Sequence, residues 1–244
     1  MARHRAVLGC RSIYLLVACL QPNRRMNEPL NIDYYTDLLC VWAWIAQRRI
    51  EELESQWGEQ VQLSHHCVNV FADTEEKMAR QWAERGGFEG FADHVQESAA
   101  AYESAPVHPD LWRTVRPTTS ATGRLLLKAA EITNGATASV SLAAAMRHEF
   151  FVEARDISQL QVLMEIARDQ DLDPEALNNA LISGRAMAAL LSDYSAADAQ
   201  GIKGSPSWVM NQGRQILYGN VGYRILHANV EELLRHPEQE ASWC

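Results

Sequence analysis

The chain shows two hydrophobic periodicities, and each predicts one kind of element. Apolar and polar residues alternate in Leu30–Tyr35 and again in Val61–Cys67, which is typical of half-buried strands. Between these strands, apolar residues recur every three or four positions in Val41–Trp57, so one face of a helix is apolar. Gly58 follows, where helices commonly end. This stretch is therefore predicted as strand, helix, strand.

Residues 73–200 carry helical patterns alone. Asp73 and Asp173 give the clearest helix starts, the first through a capping-box pattern with Glu76 and the second through the proline that follows it. Helices are predicted to begin at Asp73, Phe88, Ser120, Ala136, Ser158, Asp173 and Arg185, the first ending near Gly86, the second covering Phe88–Ser104, and a long loop covering Val107–Thr119.

The end of the chain returns to strand patterns. Two short apolar runs, Ser207–Met210 and Arg214–Tyr218, flank Asn211-Gln212-Gly213, which indicates a hairpin, and a last helix is predicted over Tyr223–Arg235. The predicted order is βαβ, then helices, then ββα. That order predicts an α/β fold in which a thioredoxin-like sheet is interrupted by an all-helical inserted domain.

Three segments follow from this order. Residues 26–72 together with 201–244 are predicted to form the thioredoxin-like domain, and residues 73–200 the helical insertion. Residues 1–25 carry five arginines and no acidic residue, and they fit neither part. We favour an over-extended start, with Met26 as the natural first residue; an export signal and an ordered extension are the alternatives.

The composition suits a folded protein and excludes several classes of partner. The chain has 244 residues, of which 47% are hydrophobic and 22% charged, enough for a substantial core and unlike a disordered protein. Its net charge of −9 disfavours nucleic acid and anionic lipid as partners. The longest apolar run, Ile13–Leu20, is shorter than the roughly 20 residues that a membrane-spanning helix needs. We therefore expect neither nucleic-acid nor membrane binding.

Five cysteines are spread along the chain without a CxxC pair, which favours a reducing compartment and hence the cytoplasm, although residues 1–25 keep export open.

Cys40 is the most informative of the five cysteines, because it lies between a predicted strand and a predicted helix. Backbone N–H groups and the helix dipole at such a position stabilise the thiolate, the nucleophilic form, whereas Asp37 opposes this. Burial as a small apolar side chain is the alternative for Cys40.

A second motif lies far along the chain. The segment Gly201–Val209 places Pro206 at the entrance of a strand, where a missing N–H group is tolerated. Position alone does not decide between a cis and a trans Ser205–Pro206 peptide bond, since most bonds before proline are trans.

Together, the Cys40 element and the segment Gly201-Ile202-Lys203-Gly204-Ser205-Pro206 resemble the DsbA family of thioredoxin-fold proteins, including its FrnE-type and hydroxychromene-carboxylate isomerase branch. In that family a strand runs into a CxxC helix, a helical domain interrupts the fold, and a Gly-x-x-Gly-x-Pro segment carries a cis-proline beside the thiol. The resemblance covers nearly everything from Leu30 onward. It implies a thiol–disulfide oxidoreductase without a tightly bound cofactor. Cys40 would be the nucleophile, Pro206 the cis-proline, and the backbone of Ser205 would pair with substrate or glutathione.

The active-site motif departs from the dithiol pattern of the family. Cys40-Val41-Trp42-Ala43 replaces Cys-x-x-Cys, so no resolving thiol stands at position 43. Cys40 could still form a mixed disulfide with a small thiol or a protein disulfide, but glutathione or another external thiol would have to release it. The resemblance thus implies a monothiol oxidoreductase with glutathione as co-substrate. A glutathione-dependent isomerase or transferase and a non-catalytic peptide-binding protein are the alternatives, and a homodimer is left open.

Further residues could contact a substrate. Asn220, Tyr223 and Arg224, near the start of the last predicted helix, could bind a carboxylate there, with a solvated surface as the alternative. Trp42 belongs to a set of aromatic residues that either wall a pocket over Cys40 or pack in the core. The other members of that set are Trp44, Trp82, Tyr102 and Trp112.

His65, His66 and Cys67 are adjacent potential metal ligands. On a strand, His65 and Cys67 share one face while His66 points away, so two ligands converge without a third, and we expect no metal. Cys67, at a core-facing position, and Cys244, near the end of the chain, are disfavoured as resolving thiols.

Overall fold

Four strands form one mixed sheet in the computed structural model, which describes residues 28–238. The strands are β1 (Leu30–Thr36), β2 (Val61–Cys67), β3 (Ser207–Met210) and β4 (Gln215–Tyr218), and their order across the sheet is β2-β1-β3-β4. β2 pairs parallel to β1, whereas β3 runs antiparallel to β1, and β4 antiparallel to β3. The parallel pair requires a crossover, which α1 (Val41–Trp57) provides.

The chain between β2 and β3 is helical, and α9 (Tyr223–Arg235) follows β4. The inserted helices are α2 (Thr74–Gln81), α3 (Gly87–Ala99), α4 (Ala121–Asn134), α5 (Ala136–Phe151), α6 (Leu160–Asp169), α7 (Pro174–Ile182) and α8 (Arg185–Ala199). The predicted order of elements is confirmed, and with it the thioredoxin-like sheet interrupted by helices. The division into residues 26–72 with 201–244 and residues 73–200 as separate domains stays a prediction.

The first two inserted helices are shorter than predicted. α2 ends at Gln81, and a 3-10 turn over Ala83–Arg85 separates it from α3. α3 ends at Ala99 rather than at Ser104, because the chain turns there and the Tyr102 N–H donates to the Ala99 carbonyl at 2.8 Å. Both predicted ends were wrong because local helix propensity continues past the point where the chain turns away.

Helix capping by Asp73 and Asp173 was predicted correctly. The Asp73 carboxylate accepts the Glu76 N–H at 2.8 Å, and the Asp173 carboxylate accepts a backbone N–H at the start of α7 at 2.9 Å. The helix start predicted at Ser158 is wrong. The Ser158 hydroxyl donates to the aspartate two residues before it at 2.6 Å, so it does not cap the helix, and α6 begins at Leu160.

The sheet is covered on both faces. One face packs against α1 and α9 through a core formed by Leu30, Ile32, Tyr34, Ala46, Ile50, Leu53, Trp208, Met210, Leu226, Val230 and Leu233. On the other face, Tyr35 and Val209 pack against Ala197 of α8. A larger core fills the inserted helices and includes the first turn of α1 with the two leucines before it. The N-terminus of α1 therefore lies where the sheet meets the inserted helices.

A chain of charged side chains also joins the sheet to α4 and α8. Nζ of Lys128, on α4, lies 2.7 Å from Oδ2 of Asp193, on α8, and Oδ1 of Asp193 lies 2.9 Å from Nδ1 of His66, on β2. Nε2 of His66 reaches the carboxylate of Asp33, on β1, at 3.1 Å. Because Lys128 and Asp193 are buried, removal of either would take one ionic partner from the other, leaving Asp193 with His66 and Lys128 with Glu131 at 2.7 Å.

The expectations about residues 1–25 and Cys244 lie outside the described residues. Within the described range, no helix combines the length and the apolar character needed to cross a bilayer. In the same range, no group of three or more His, Cys, Asp or Glu side chains is arranged to hold a metal ion.

Candidate active site

Cys40 lies at the N-cap of α1. Its backbone is extended, with φ −82° and ψ 115°, and its carbonyl accepts the N–H groups of Ala43 at 3.0 Å and Trp44 at 3.1 Å. The residues before it form a tight turn in which the Cys40 N–H donates to the Asp37 carbonyl at 3.2 Å. The turn after β1 thus sets the thiol at the end of the helix where backbone N–H groups lack helical partners.

The two distant sequence motifs meet at this thiol. The Cys40 thiol donates to the carbonyl oxygen of Ser205 at 3.2 Å, and the Ser205–Pro206 peptide bond is cis. The Ser205 hydroxyl accepts the Asp37 N–H at 2.9 Å and lies 3.3 Å from Oγ1 of Thr36. β3 begins directly after Pro206, so the antiparallel pairing of β3 with β1 holds Ser205 beside Cys40.

Burial dominates the electrostatics of the thiol. Only 6% of Cys40 is exposed, and this burial raises the pKa of the thiol. Hydrogen bonds from the Ser205 side chain and from the backbone of Ala43 and Trp42 lower the pKa, whereas the Asp37 carboxylate raises it, as the sequence predicted. The net shift is upward. A thiol pKa depressed by the helix N-terminus, as expected from the sequence, is therefore wrong, because desolvation outweighs the N–H groups.

The Asp37 carboxylate is fully buried and accepts four hydrogen bonds. Its Oδ1 accepts the Leu39 N–H at 3.1 Å. Its Oδ2 accepts the N–H groups of Val70 at 3.1 Å and Phe71 at 3.0 Å, and the hydroxyl of Ser120 at 2.9 Å. These bonds tie the turn before the thiol to the loop after β2 and to the start of α4.

Arg147 is a buried cation that the sequence analysis did not assign to the site. It lies on α5, it is fully buried, and its Nη2 donates to Oγ1 of Thr36 at 3.0 Å. A signal was present in the sequence, because Arg147 stands four residues from both Ala143 and Phe151, within the apolar stripe of its helix. Burial lowers the pKa of Arg147, and nearby groups including the Cys40 thiolate oppose that shift.

Lys77 is a second cation near the thiol that sequence reasoning missed. It lies half-buried on α2, with Nζ 5.0 Å from the centre of the Phe71 ring. Burial lowers the pKa of Lys77, while the negative charges of Asp37 and of ionised Cys40 raise it. The charge of Asp37 therefore disfavours the thiolate, while the positive charges of Lys77 and Arg147 favour it.

Two free cysteines fall in the described part of the chain, Cys40 and Cys67. Cys67 is buried in β2, where burial raises the pKa of its thiol to about 12. Its environment therefore keeps Cys67 neutral and shielded. Ala43, at the position where dithiol members of the resembled family carry their second cysteine, is fully buried in the first turn of α1.

The predicted aromatic set divides between core and half-buried positions. Three members are buried in the helical core, namely Trp44, Trp82 and Trp112. Trp42 and Tyr102 are half-buried. The His94 ring links Trp42 to Trp82, with centroid distances of 6.5 Å and 5.1 Å. The substrate-binding role of Trp42, directly after Val41 in the first turn of α1, stays a prediction.

The residues expected to bind a carboxylate make separate contacts. Nδ2 of Asn220 donates to the Tyr102 hydroxyl at 2.8 Å, an exposed link between the loop after β4 and the inserted helices. The Tyr223 hydroxyl donates to Gln56 at 2.6 Å, and Gln56 lies about 24 Å from Cys40 along the axis of α1. Arg224 is exposed. Tyr223 is therefore directed away from the thiol, and the three residues do not form one site.

The histidines of β2 lie on opposite faces, as predicted. His65 is buried with Cys67, whereas His66 faces Asp33 and Asp193. Burial, reinforced by two buried cations, holds the pKa of His65 well below its ordinary value. Burial alone would also lower the pKa of His66, but hydrogen bonds to Asp193 and Asp33 raise it to about 9.

Cys40 lies at a helix N-terminus, beside a loop with a cis-proline and on a mixed four-stranded sheet. This combination is typical of thioredoxin-fold thiol proteins. The profile of the DSBA-like thioredoxin domain matches residues 31–231, which is most of the chain. The chain belongs to this family.

Solved structures share the fold. A putative protein disulfide isomerase from Nitrosomonas europaea is similar with a TM-score of 0.69 and 16% identity, over 86% of this chain and 99% of that one. The cytosolic disulfide reductase DsbM from Pseudomonas aeruginosa is similar with a TM-score of 0.65 and 20% identity, over 84% of this chain and 99% of that one.

Curated relatives carry a different description. The ClpXP adapter protein SpxH from Bacillus licheniformis is 25% identical, over 85% of this chain and 68% of its own length. A second SpxH, from Halalkalibacterium halodurans, is 22% identical, over 76% of this chain and 60% of its own length. The chain therefore spans about two thirds of the length of these relatives.

Proposed function

We propose that this protein is a cytoplasmic thiol–disulfide oxidoreductase of monothiol type, with Cys40 as its nucleophile. The observation that carries the proposal is the 3.2 Å contact between the Cys40 thiol and the carbonyl of Ser205, which precedes the cis Pro206. Backbone hydrogen bonds to Ser205 would let a peptide or glutathione bind with its sulfur next to Sγ of Cys40. Asn220 and Arg224 are predicted contacts only.

The proposed chemistry has two balanced exchange steps. The Cys40 thiolate attacks one sulfur of a disulfide R–S–S–R′, forms a Cys40–S–S–R bond and releases R′–S⁻. Ala43 has no sulfur, so no group in the first turn of α1 can resolve this bond. A glutathione thiolate therefore attacks the sulfur of R, forms R–S–S–G and returns the electron pair to Cys40.

Glutathione is proposed as the external thiol because it keeps cytoplasmic thiols reduced. The structural neighbour DsbM was also solved with GSH. The raised pKa of the resting Cys40 thiol implies slow attack before substrate binds. A substrate N–H that takes the Ser205 carbonyl would displace the thiol proton from that acceptor.

Glutathionylation of the full-length protein tests this proposal. After incubation with oxidised glutathione, peptide-level mass spectrometry should find one glutathionyl group on Cys40, which reduced glutathione then removes. Cys40→Ser should abolish the adduct, and Cys67→Ala, the matched control, should keep it. Equal uptake by wild type and Cys40→Ser would contradict Cys40 as the nucleophile.

A second candidate function is a non-catalytic adapter that binds peptides. Two observations favour it, namely the burial of Cys40 with its raised thiol pKa and the SpxH relatives described as ClpXP adapters. In that case, the backbone of Ser205 binds an extended peptide, and Cys40 is a buried packing residue without a chemical role. The glutathionylation experiment separates the two functions, because an adapter of this kind leaves Cys40 unmodified.

A further inference from the structure

Among residues 28–238, the buried Arg147 makes no ion pair with a carboxylate. Nη2 of Arg147 donates to Oγ1 of Thr36 at 3.0 Å and lies 3.2 Å from Nε2 of His65, while Nη1 lies 3.5 Å from Oε1 of Gln47. Its Nε has no hydrogen-bond partner among the described residues. Burying an arginine without a carboxylate in direct contact is costly, and the negative charges of Asp37 and of ionised Cys40 offset part of that cost. Arg147 can therefore compensate a negative charge on the Cys40 sulfur in addition to the charge of Asp37.

Arg147 also fixes the direction of two hydroxyl groups. A guanidinium has donors and no acceptor, so Oγ1 of Thr36 must accept from it. The hydroxyl proton of Thr36 is then left to donate to another acceptor. The Ser205 hydroxyl oxygen, at 3.3 Å, and the Asp37 carbonyl oxygen, at 3.4 Å, are both within reach. The Ser205 oxygen already accepts the Asp37 N–H at 2.9 Å. A hydroxyl that accepts from two donors has its own proton left for a third atom.

That third atom is the sulfur of Cys40. The thiol donates its own proton to the Ser205 carbonyl at 3.2 Å, so the sulfur lies beside Ser205, and the Ser205 side chain lowers the pKa of the thiol. When the thiol proton leaves for water, the sulfur can no longer donate and becomes an acceptor for the Ser205 hydroxyl. The chain from Arg147 through Thr36 and Ser205 thus ends at the atom where negative charge develops.

We propose that Arg147 and Thr36 are positioning residues that orient the Ser205 hydroxyl toward the Cys40 thiolate, and that the Arg147 charge compensates it. This inference rests on the proposed function of Cys40 as nucleophile.

Other charged groups face the same sulfur. Asp37, in the turn before α1, opposes the thiolate, and Lys77, on α2, favours it. Tyr34, on β1, also faces it but stays neutral, because burial raises the pKa of Tyr34 to about 12. Arg147 is therefore the fully buried cation in this set. It lies on α5, one of the inserted helices, and its side chain contacts Thr36 on β1 of the sheet.

The test is the pH profile of Cys40 alkylation in the full-length protein. Cleavage at arginine isolates residues 26–48, a peptide in which Cys40 is the sole cysteine, so iodoacetamide labelling can be read by mass spectrometry. Thr36→Val should raise the alkylation midpoint by about one pH unit, which is an about tenfold slower reaction at neutral pH. Thr36→Ser, the matched control, keeps the hydroxyl and should keep the wild-type midpoint.

Arg147→Met should raise the midpoint further than Thr36→Val, because it removes the charge as well as the donor. If Arg147→Met fails to fold, as far-ultraviolet circular dichroism would show, the two Thr36 variants still decide. A purely structural role would change the unfolding free energy and leave the midpoint where it is. Unchanged midpoints in Thr36→Val would overturn this inference while leaving Cys40 as nucleophile. A wild-type Cys40 that resists alkylation to about pH 10 would overturn both.

Discussion

Asp37 and Ser120 share a buried hydrogen bond of 2.9 Å, although 83 positions separate them in the chain. The same carboxylate oxygen accepts the N–H groups of Val70 and Phe71, in the loop after β2. The turn before the thiol is therefore held by the sheet and by the inserted helices at once. A substitution at Asp37 should affect both the stability of the fold and the chemistry of the thiol.

Asp37→Asn is expected to destabilise the fold and to make Cys40 more reactive. An amide cannot accept all four of the hydrogen bonds that the carboxylate accepts, and each buried donor left unmet costs roughly 1–3 kcal/mol. Loss of the negative charge removes a cause that raises the pKa of Cys40, so alkylation at neutral pH becomes faster. Urea unfolding and the pH profile of alkylation measure the two effects.

Asp33→Asn is the matched control for this experiment. Asp33 lies on the same strand, but its side chain contacts His66 rather than the turn before Cys40. It should leave the alkylation midpoint of Cys40 unchanged. A midpoint in Asp37→Asn at or above the wild-type value would show that the charge of Asp37 does not govern the thiol.

Stability is predicted to fall as pH rises from about 6.5 to about 9. Burial opposes the charged form of His66, but hydrogen bonds to Asp193 and Asp33 raise its pKa from 6.5 to about 9. A group whose pKa is raised on folding contributes stability that is complete below its unfolded pKa and is lost as pH passes the folded pKa. The contribution is at most about 3 kcal/mol. Urea unfolding at several pH values should show this slope, and His66→Gln should flatten it; an equal slope in both proteins would contradict the assignment.

Much of the fold could be predicted because its elements carry regular patterns with marked ends. The bounds of α1 were predicted correctly, since the apolar spacing stops at Trp57 and Gly58 follows with φ 50°, a conformation that glycine adopts easily. α3 was predicted too long because the alanines at its end favour helix, whereas Tyr102 turns away to contact Asn220. That contact joins distant parts of the chain, so no local pattern reports it.

The candidate site was predicted only in part, for a related reason. Cys40 and Pro206 stand in motifs, and the structure brings them together. Arg147 was not predicted, because charged side chains are ordinarily exposed and the sequence does not show what a buried one will contact. The direction of the Cys40 pKa shift was wrong because the helix N-terminus is a local feature, whereas burial depends on how the inserted helices pack.

Ala43→Cys is predicted to convert the monothiol site into a dithiol site. Residue 43 lies in the first turn of α1, and its N–H bonds to the Cys40 carbonyl at 3.0 Å, so a thiol there can reach Sγ. Oxidised glutathione should then produce an intramolecular disulfide with Cys40 instead of a lasting glutathione adduct, which intact mass spectrometry distinguishes. Ala46→Cys, buried against the sheet and out of reach, is the control and should keep the adduct. Adduct accumulation by Ala43→Cys at the wild-type level would count against the proposed geometry.

Gly123→Ala is expected to destabilise the protein even though alanine is the better helix former by about 1 kcal/mol. A Cβ atom at Gly123 would lie 2.6 Å from Cδ1 of Leu38, which is buried two residues before Cys40. Such overpacking typically costs about 1–3 kcal/mol. Urea unfolding should therefore show a loss that disappears in a Leu38→Ala background, where the space is free. A stabilising effect in the wild-type background would mean that α4 and Leu38 do not pack in this way.

Turnover of a glutathionylated peptide by the full-length protein tests the proposed monothiol function most directly. In each cycle Cys40 takes the glutathionyl group from the peptide, and reduced glutathione removes it as oxidised glutathione, whose release can be followed. The monothiol mechanism predicts a rate that rises with the concentration of reduced glutathione, disappears in Cys40→Ser and persists in Cys67→Ala. Equal rates for wild type and Cys40→Ser would contradict it.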